Sequence, residues 1–211
     1  MQKLKQIDRT VKEANEESFS LNPSSIRSRN QIIVALFELA KNESIAKISI
    51  SQICAQASIT RPTFYHHFKT KEDVVVFVLD ELFAEYIAAI KTTIKKDEAP
   101  IALQVVVTSF ISFWSNQKHF LQIVWSSNFF GLMGERFKDY LDEIYVLYNM
   151  PHNSKPKRLE ETEQRYHNTF LANGLAAILL EWTAYGFRES EDELAGYISS
   201  LFKSLHMSES D

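Results

Sequence analysis

The sequence contains few of the residues that interrupt helices or cross-link a chain. Five glycines, five prolines and one cysteine occur among its 211 residues. The lone cysteine excludes an internal disulfide, and Cys54 lies on the apolar side of a short helical pattern, where a small core residue is expected. Strand signals, meaning alternating β-branched residues bounded by turn pairs, are also scarce. These shortages predict an all-α protein of a reducing compartment.

Long apolar segments are missing as well. No apolar run reaches the roughly 18 residues that indicate a transmembrane helix, and the opening segment MQKLKQIDRTVKEANEE is too polar for a signal peptide. We therefore expect a cytoplasmic protein with no membrane partner. Apolar residues still make up 45% of the chain, which at this length is enough for a substantial buried core and argues against a disordered protein.

Signatures of catalysis and of metal binding are absent too. The sequence has no phosphate-cradling glycine loop, no HExxH and no GxSxG. His66 and His67 are adjacent, so on a helix their side chains point about 100° apart, and no cysteine or carboxylate stands at ligand spacing. We expect no enzymatic activity, no cofactor and no metal. A helical enzyme or ligand carrier with an incidental helix-turn-helix pattern is a remote alternative.

Positive charge is concentrated in one part of the chain. The net charge is −4, yet residues 24–71 carry seven Lys or Arg against two acidic residues, a net of +5. Residues 1–23 are balanced and residues 72–211 have a net charge of −9. A basic segment on an acidic protein favours a polyanion partner, because phosphate neutralisation supplies much of the affinity for DNA. A merely solvated surface is the alternative.

Two short helical patterns lie within this basic segment, between Ile48 and Lys71. Ser49 precedes apolar residues at three- and four-residue spacing, and Thr60 can cap a second helix that has Pro62 near its start. Helices this short depend on tertiary contacts, and Phe64 is placed to supply them. The layout is typical of a helix-turn-helix, whose second helix enters the DNA major groove. An ordinary helical hairpin is the alternative.

The run Thr60–Val74, TRPTFYHHFKTKEDV, closely resembles the end of the DNA-binding domain of TetR-family transcriptional regulators. That family ends its recognition helix in an aromatic-Tyr-x-His-Phe run and opens its next helix with Lys-x-Lys-Glu. The resemblance covers roughly residues 25–78. It implies an N-terminal three-helix domain and a C-terminal helical effector-binding and dimerisation domain, with about nine helices in all. Ser58 stands where the family often has glycine, so we expect a slightly different turn.

The chain is predicted to have three parts. Weak periodicity and mixed charge indicate a flexible or loosely helical arm over residues 1–23, with contact to DNA or to a partner as the alternative. The resemblance implies that residues 24–71 form the DNA-binding domain and that residues 72–211 form the regulatory domain. The first helix is predicted from Ser24 or Ser25 to about residue 42. A capping box of Thr70 with Asp73 opens a long helix to about residue 96. In the family this helix touches the DNA backbone and continues into the regulatory domain.

The resemblance also assigns DNA contacts. Arg61, Pro62 and Thr63 occupy the exposed start of the recognition helix, where Arg61 suits the O6 and N7 atoms of guanine and the other two suit a thymine methyl. Thr60, which caps this helix, belongs to the same predicted site. The side chains that fit phosphate contacts are Ser49, Ser51, Tyr65, His66, His67 and Lys71.

Aromatic side chains are unusually frequent in the second half of the chain. In the family this domain holds a small effector, and an aromatic-lined cavity suits an apolar or aromatic molecule. Simple core packing is the alternative. The predicted pocket residues are Phe110, Phe113, Trp114, Trp125, Phe129, Tyr145, Tyr148, His167 and Phe170. Nearby, Gly131 to Gly134 predict a break before a helix over about residues 135–149.

A single recognition helix contacts only one half-site, so specific binding to a palindromic operator calls for a homodimer. The last two helices, at about 160–185 and 190–205, are the predicted interface and pair with their copies as a four-helix bundle. The predicted interface residues are Leu175, Ile178, Leu179, Trp182, Leu194, Tyr197, Ile198 and Leu201.

These predictions combine into a homodimeric repressor that a small molecule releases from a palindromic operator. The alternatives within DNA binding are an activator, or a regulator that responds to a protein partner instead of a small-molecule effector.

Overall fold

The computed structural model describes residues 23–93, 103–127, 129–147 and 161–207. Within these ranges the chain forms nine α-helices and no strand, which confirms the all-α prediction. In chain order, helices α1 to α9 are Pro23–Leu39, Ile50–Gln56, Arg61–His67, Lys71–Thr93, Leu103–Ser115, Lys118–Ser126, Phe130–Leu147, Glu161–Ala184 and Glu191–Met207. The predicted arm up to residue 22 and Tyr148 lie outside the described residues.

The chain divides into two compact units, Met1–Ala88 and Ala89–Asp211. Helix α4 belongs to both, since the division falls within it. The predicted functional boundary after residue 71 stays a prediction. In the first unit α1 packs against the short helices α2 and α3. The fully buried side chains that form this core include Ile32, Ile33, Leu36, Ile45, Ile53, Phe64, Val74 and Leu79.

Helix α4 begins with a capping box, as its sequence predicts. The carboxylate Oδ2 of Asp73 accepts from the Thr70 backbone N–H at 2.8 Å, and Thr70 Oγ1 accepts from the Asp73 N–H at 3.2 Å. Both groups would otherwise lie unpaired at the helix terminus. Because α3 ends at His67, this cap starts a new helix almost immediately after the recognition helix.

The described part of the second unit contains helices α5 to α9, which have nine to 24 residues. Helix α8 packs against α7 and α6, and α9 packs against α5. Trp114, Phe120 and Leu179 are among the side chains that it buries almost completely. Among the helices described, none combines the length and the apolar character that crossing a bilayer would require.

The predicted helix break at Gly131 to Gly134 is wrong. Helix α7 begins at Phe130 and runs through both glycines, and the interruption comes earlier, after α6 ends at Ser126. Gly134 serves packing instead: a Cβ atom at this position would lie 2.3 Å from Asn173 Oδ1 of α8. Glycine costs about 1 kcal/mol in a helix interior relative to alanine, and here its small size permits the close approach of two helices.

Candidate nucleic-acid interface

Helix α2 begins at a complete capping box. Ser49 Oγ accepts from the Gln52 backbone N–H at 3.2 Å, and Gln52 Oε1 accepts from the Ser49 N–H at 2.8 Å. The Ser49 hydroxyl also donates to Gln52 Oε1 at 2.7 Å. Ser51 is exposed in the first turn. The hydroxyl of Ser49 is therefore already engaged in stabilising the helix, whereas Ser51 faces solvent.

The turn between α2 and α3 is a Schellman motif. The Ser58 N–H donates to the Ala55 carbonyl at 3.2 Å, and the Ile59 N–H donates to the Cys54 carbonyl at 3.0 Å. Ser58 has a φ of 54°, the left-handed conformation that glycine adopts without strain. Ser58 thus has a backbone conformation that favours glycine, and this conformation is a physical reason for the glycine that the TetR family often has at this position.

Helix α3 buries one face and exposes the other. Thr60 Oγ1 accepts from the Thr63 N–H at 3.4 Å and caps the helix. Phe64 is fully buried and Phe68 nearly so, with their ring centroids 6.2 Å apart. Arg61, Pro62, Tyr65 and His66 are exposed, and Thr63 is half-buried. Two phenylalanines therefore anchor the helix while its polar side chains remain available.

Arg61 and Tyr65 lie one turn apart on the exposed face of α3. Arg61 Nη2 lies 3.5 Å from the Tyr65 hydroxyl oxygen, to which it can donate. This contact raises the pKa of Arg61 further above its ordinary value. Arginine stays protonated at any ordinary pH, so Arg61 has the positive charge and the paired donors that a bidentate contact with guanine requires.

His67 connects the recognition helix to α1. Its Nε2 lies 2.7 Å from Ser28 Oγ, and the Ser28 hydroxyl donates to the Ser25 carbonyl at 3.0 Å. Because a hydroxyl has a single hydrogen, His67 Nε2 carries a hydrogen and donates to Ser28. Burial, followed by the nearby His66 and Arg29, lowers the pKa of His67 below 6.5. A neutral, half-buried His67 is thus bound within the protein, and its predicted phosphate contact stays a prediction.

Lys71, at the first position of α4, also has partners inside the protein. Its Nζ donates to the Ala46 carbonyl at 2.7 Å and to the Ile48 carbonyl at 2.8 Å. Both carbonyls belong to the segment that leads into α2. Sequence reasoning did not find these contacts, because nothing local to Lys71 indicates a partner more than 20 residues away.

The predicted pocket residues fall into different environments. Trp114 is buried at the centre of an aromatic cluster, with Phe110 at 6.2 Å, Phe113 at 5.6 Å and Phe137 at 5.3 Å between ring centroids. The structure therefore brings three of the predicted residues together and adds Phe137, which the prediction lacked. Trp125 and Phe170, in contrast, are 50% and 64% exposed. Phe129 and His167 are half-buried, and the side chain of Tyr145 lies outside the described part.

The predicted dimer residues also divide into two groups. Leu179, Trp182, Leu194 and Ile198 are buried within their own protomer, and Leu175 and Ile178 are half-buried. Only Tyr197 and Leu201 are exposed. The dimer prediction lacked three further exposed apolar side chains on or next to α8, namely Tyr166, Phe170 and Tyr185.

Trp182 has a structural role at the end of α8. Its Nε1 donates to the Glu189 carbonyl at 3.0 Å, and its ring meets Phe187 edge to face at 5.0 Å. Lys118 Nζ lies 5.2 Å from the Trp182 ring centre and 4.8 Å from that of Phe187. These contacts hold the connection between α8 and α9 against the start of α6.

Two family models match the chain. Residues 32–76 match the model described as "Bacterial regulatory proteins, tetR family", and residues 102–204 match one described as "Transcriptional regulator C-terminal region". The first match contains α2 and α3, and the second contains α5 to α8 and most of α9.

Two solved structures share the fold. The protein Lin0861 from Listeria innocua aligns with a TM-score of 0.65 at 15% identity, over 90% of this chain and 96% of that chain. The dihydroxyacetone kinase operon activator DhaS aligns with a TM-score of 0.50 at 21% identity, over 84% of this chain and 95% of that chain. At these identities the similarities show the fold alone.

Proposed function

Because the chain belongs to the TetR family of bacterial regulatory proteins, we propose that it is a homodimeric cytoplasmic repressor that a small molecule releases from a palindromic operator. The exposed face of α3 carries this proposal. Arg61 extends from the first turn of a helix that Phe64 anchors in the core. Such a helix can enter the major groove without disturbing the packing of its own domain.

Within α3, base reading and backbone contact are assigned to different side chains. Arg61 meets a guanine, and Pro62 and Thr63 contact a thymine methyl. Tyr65 and His66, which are exposed on the same short helix, donate to phosphates and carry no sequence information. Selection of duplexes from a random pool tests this assignment. Absence of salt-dependent binding to any duplex would contradict the proposal and favour a helical enzyme or carrier.

The dimer interface is proposed from the exposed apolar side chains on or next to the last two helices, namely Tyr166, Phe170, Tyr185, Tyr197 and Leu201. Gly174 lies one turn after Phe170, and apart from its chain neighbours and the backbone of its own helix, no atom of the described residues lies within 4 Å of the position that a Cβ would take there. Another helix can therefore approach this part of α8 closely. Analytical ultracentrifugation tests the interface: Phe170→Glu is expected to yield monomers, whereas the control Trp125→Glu stays dimeric.

The effector site is proposed around the aromatic cluster of Trp114. The edge-to-face contacts of Trp114 with Phe110 and Phe113 supply an apolar wall. Asn168 and Gln117 are buried polar groups of the same unit that could orient a ligand. Thermal-shift screening tests this site, because a ligand at about 100 times its dissociation constant adds about 2.7 kcal/mol of stability. Trp114→Phe should reduce the shift of any compound found, whereas Trp125→Phe should leave it unchanged.

Release from DNA follows from population shift. If effector and operator prefer different conformations of the dimer, each lowers the affinity for the other by the same factor. Helix α4 supplies the covalent connection, since it starts beside the recognition helix and continues past Ala88 into the second unit. A protein that activates transcription is the second candidate, and the structural relative DhaS is named an operon activator. Expression of a reporter placed behind the operator, measured with and without the gene for this protein, distinguishes a repressor from an activator. A repressor lowers the expression and an activator raises it.

A further inference from the structure

The ammonium group of Lys71 closes a loop around the whole helix-turn-helix. Its two acceptors, the carbonyls of Ala46 and Ile48, precede it by 25 and 23 residues. The enclosed segment contains α2, the Schellman turn and α3. The two bonds thus join the start of α4 to the backbone immediately before the Ser49 cap.

Lys71 stands at an unfavourable position for a lysine whose side chain contacts only water. A cation in the first turn of a helix is unfavourable with respect to the helix dipole, whereas Glu72 and Asp73 in the same turn are favourable. Ordering a lysine side chain also costs conformational entropy. Two charge-assisted hydrogen bonds of 2.7 and 2.8 Å offset both costs.

The segment that accepts these bonds is itself anchored. Ile45 and Ile48 are fully buried on either side of the Ala46 carbonyl. Ala46 itself is exposed, but the burial of its two neighbours anchors the backbone that carries both acceptors, so the Lys71 bonds connect α4 to an anchored segment. Helices α2 and α3 have only seven residues each and depend on such tertiary contacts for their relative placement.

We propose that Lys71 is a positioning residue for sequence-specific DNA reading and does not act as a phosphate contact. The inference rests on the proposed DNA-binding function and deepens it. By holding the entry of α2 at the start of α4, Lys71 fixes both ends of the segment that carries Arg61. Two of its three N–H donors are engaged within the protein. Removing Lys71 should therefore change the placement of Arg61 on the DNA more than the number of phosphates that the protein neutralises.

Lys69 provides a matched control two residues earlier. Its side chain is exposed, and within the described residues it forms no hydrogen bond or ion pair; its backbone N–H donates to Asp73 Oδ2 at 3.0 Å. Lys69→Met and Lys71→Met therefore remove the same charge from the same connection. Only the second substitution removes bonds to the segment before α2.

The experiment uses a duplex that the wild-type protein selects from a random pool, together with a shuffled duplex of the same composition. Dissociation constants are measured for both duplexes over a range of salt concentrations. Lys71→Met is expected to lower the preference for the selected duplex about tenfold and to leave the salt dependence unchanged. Lys71→Arg, which keeps the donors, should restore part of the preference. A phosphate contact would instead leave the preference intact and reduce the slope of log K against log salt by about 0.9, which would overturn the proposal.

A second measurement needs no DNA. Amide hydrogen exchange in α2 should accelerate in free Lys71→Met and stay unchanged in Lys69→Met, with circular dichroism confirming that both variants are folded. Unchanged exchange in Lys71→Met would show that the two Lys71 hydrogen bonds do not stabilise α2, and this would overturn the proposal even if DNA binding were affected. If the exchange difference is present but the wild-type protein selects no duplex, the proposed DNA-binding function is wrong. The role of Lys71 in DNA reading is then wrong as well, whereas its role in stabilising α2 is supported.

Discussion

Helices α2 and α3 have seven residues each, whereas α8 has 24, and the two units that contain them are stabilised in different ways. In the first unit, polar bonds at defined points supplement the apolar core: the Ser49 and Thr60 caps, the bond between Ser28 and His67, and the two bonds of Lys71. The second unit relies on aromatic packing around Trp114. Short helices with fixed ends suit the proposed role of α3 in DNA reading, because the position of each side chain is defined. Apolar packing suits the proposed effector site, because a ligand can replace one apolar contact by another.

Removing the centre of the second unit should have the largest effect on stability. Trp114→Ala deletes a fully buried indole and should lower the free energy of unfolding by about 3–5 kcal/mol. Urea denaturation followed by circular dichroism measures this loss. Trp125, of which 50% is exposed, provides the control, and an equal loss for Trp125→Ala would contradict the contrast between the two tryptophans.

Removing the proposed base-reading group should affect binding and not folding. Arg61→Ala should cost about 1–3 kcal/mol of DNA-binding free energy and relax the preference at one base position. His66→Ala, on the same exposed helix, should weaken binding to all sequences alike. Selection from a random duplex pool with each variant checks both. Uniform loss across sequences for Arg61→Ala would show that it contacts the backbone instead.

Relieving the strain at the turn should stabilise the first unit. Ser58→Gly places glycine at a φ of 54°, where a residue with a Cβ is disfavoured by about 1–2 kcal/mol. Glycine makes the unfolded chain more flexible, which offsets part of the gain, so we expect a net increase of about 0.5–1 kcal/mol. Thermal denaturation provides the measurement. Ser51→Gly, in the first turn of α2, should instead destabilise the protein slightly, because glycine is the poorer helix former.

The smallest expected effect concerns pH. Because the pKa of His67 is lowered below 6.5 by burial and by His66 and Arg29, the unfolded chain takes up a proton at this residue before the folded protein does. The contribution of His67 to stability is therefore complete above pH 6.5 and decreases as the pH falls toward the folded-state pKa. Unfolding free energies of wild type and His67→Gln, compared above and below pH 6.5, should converge at the lower pH. A constant difference would contradict this coupling.

Much of the first unit could be predicted from the residues. The caps at Ser49, Thr60 and Thr70 lie where the sequence predicts them, because a cap joins a side chain to a backbone N–H only two or three residues away. Phe64 is buried as its spacing indicates. In the second unit the helices were predicted, but Gly134 was misread as a break, since a glycine that permits close packing and one that ends a helix look alike in sequence.

By itself the sequence determined the presence and order of the helices of the described residues, though not every boundary, together with the location of the helix-turn-helix and the family to which the chain belongs. These features depend on periodicity, caps and a local motif, all of which act over a few neighbouring residues. Only the tertiary structure decided that Lys71 bonds to Ala46 and Ile48, that Gly134 meets Asn173, and that Phe170 is exposed while Leu179 is buried. Such contacts join residues far apart in the chain, and the sequence around either partner does not indicate the other.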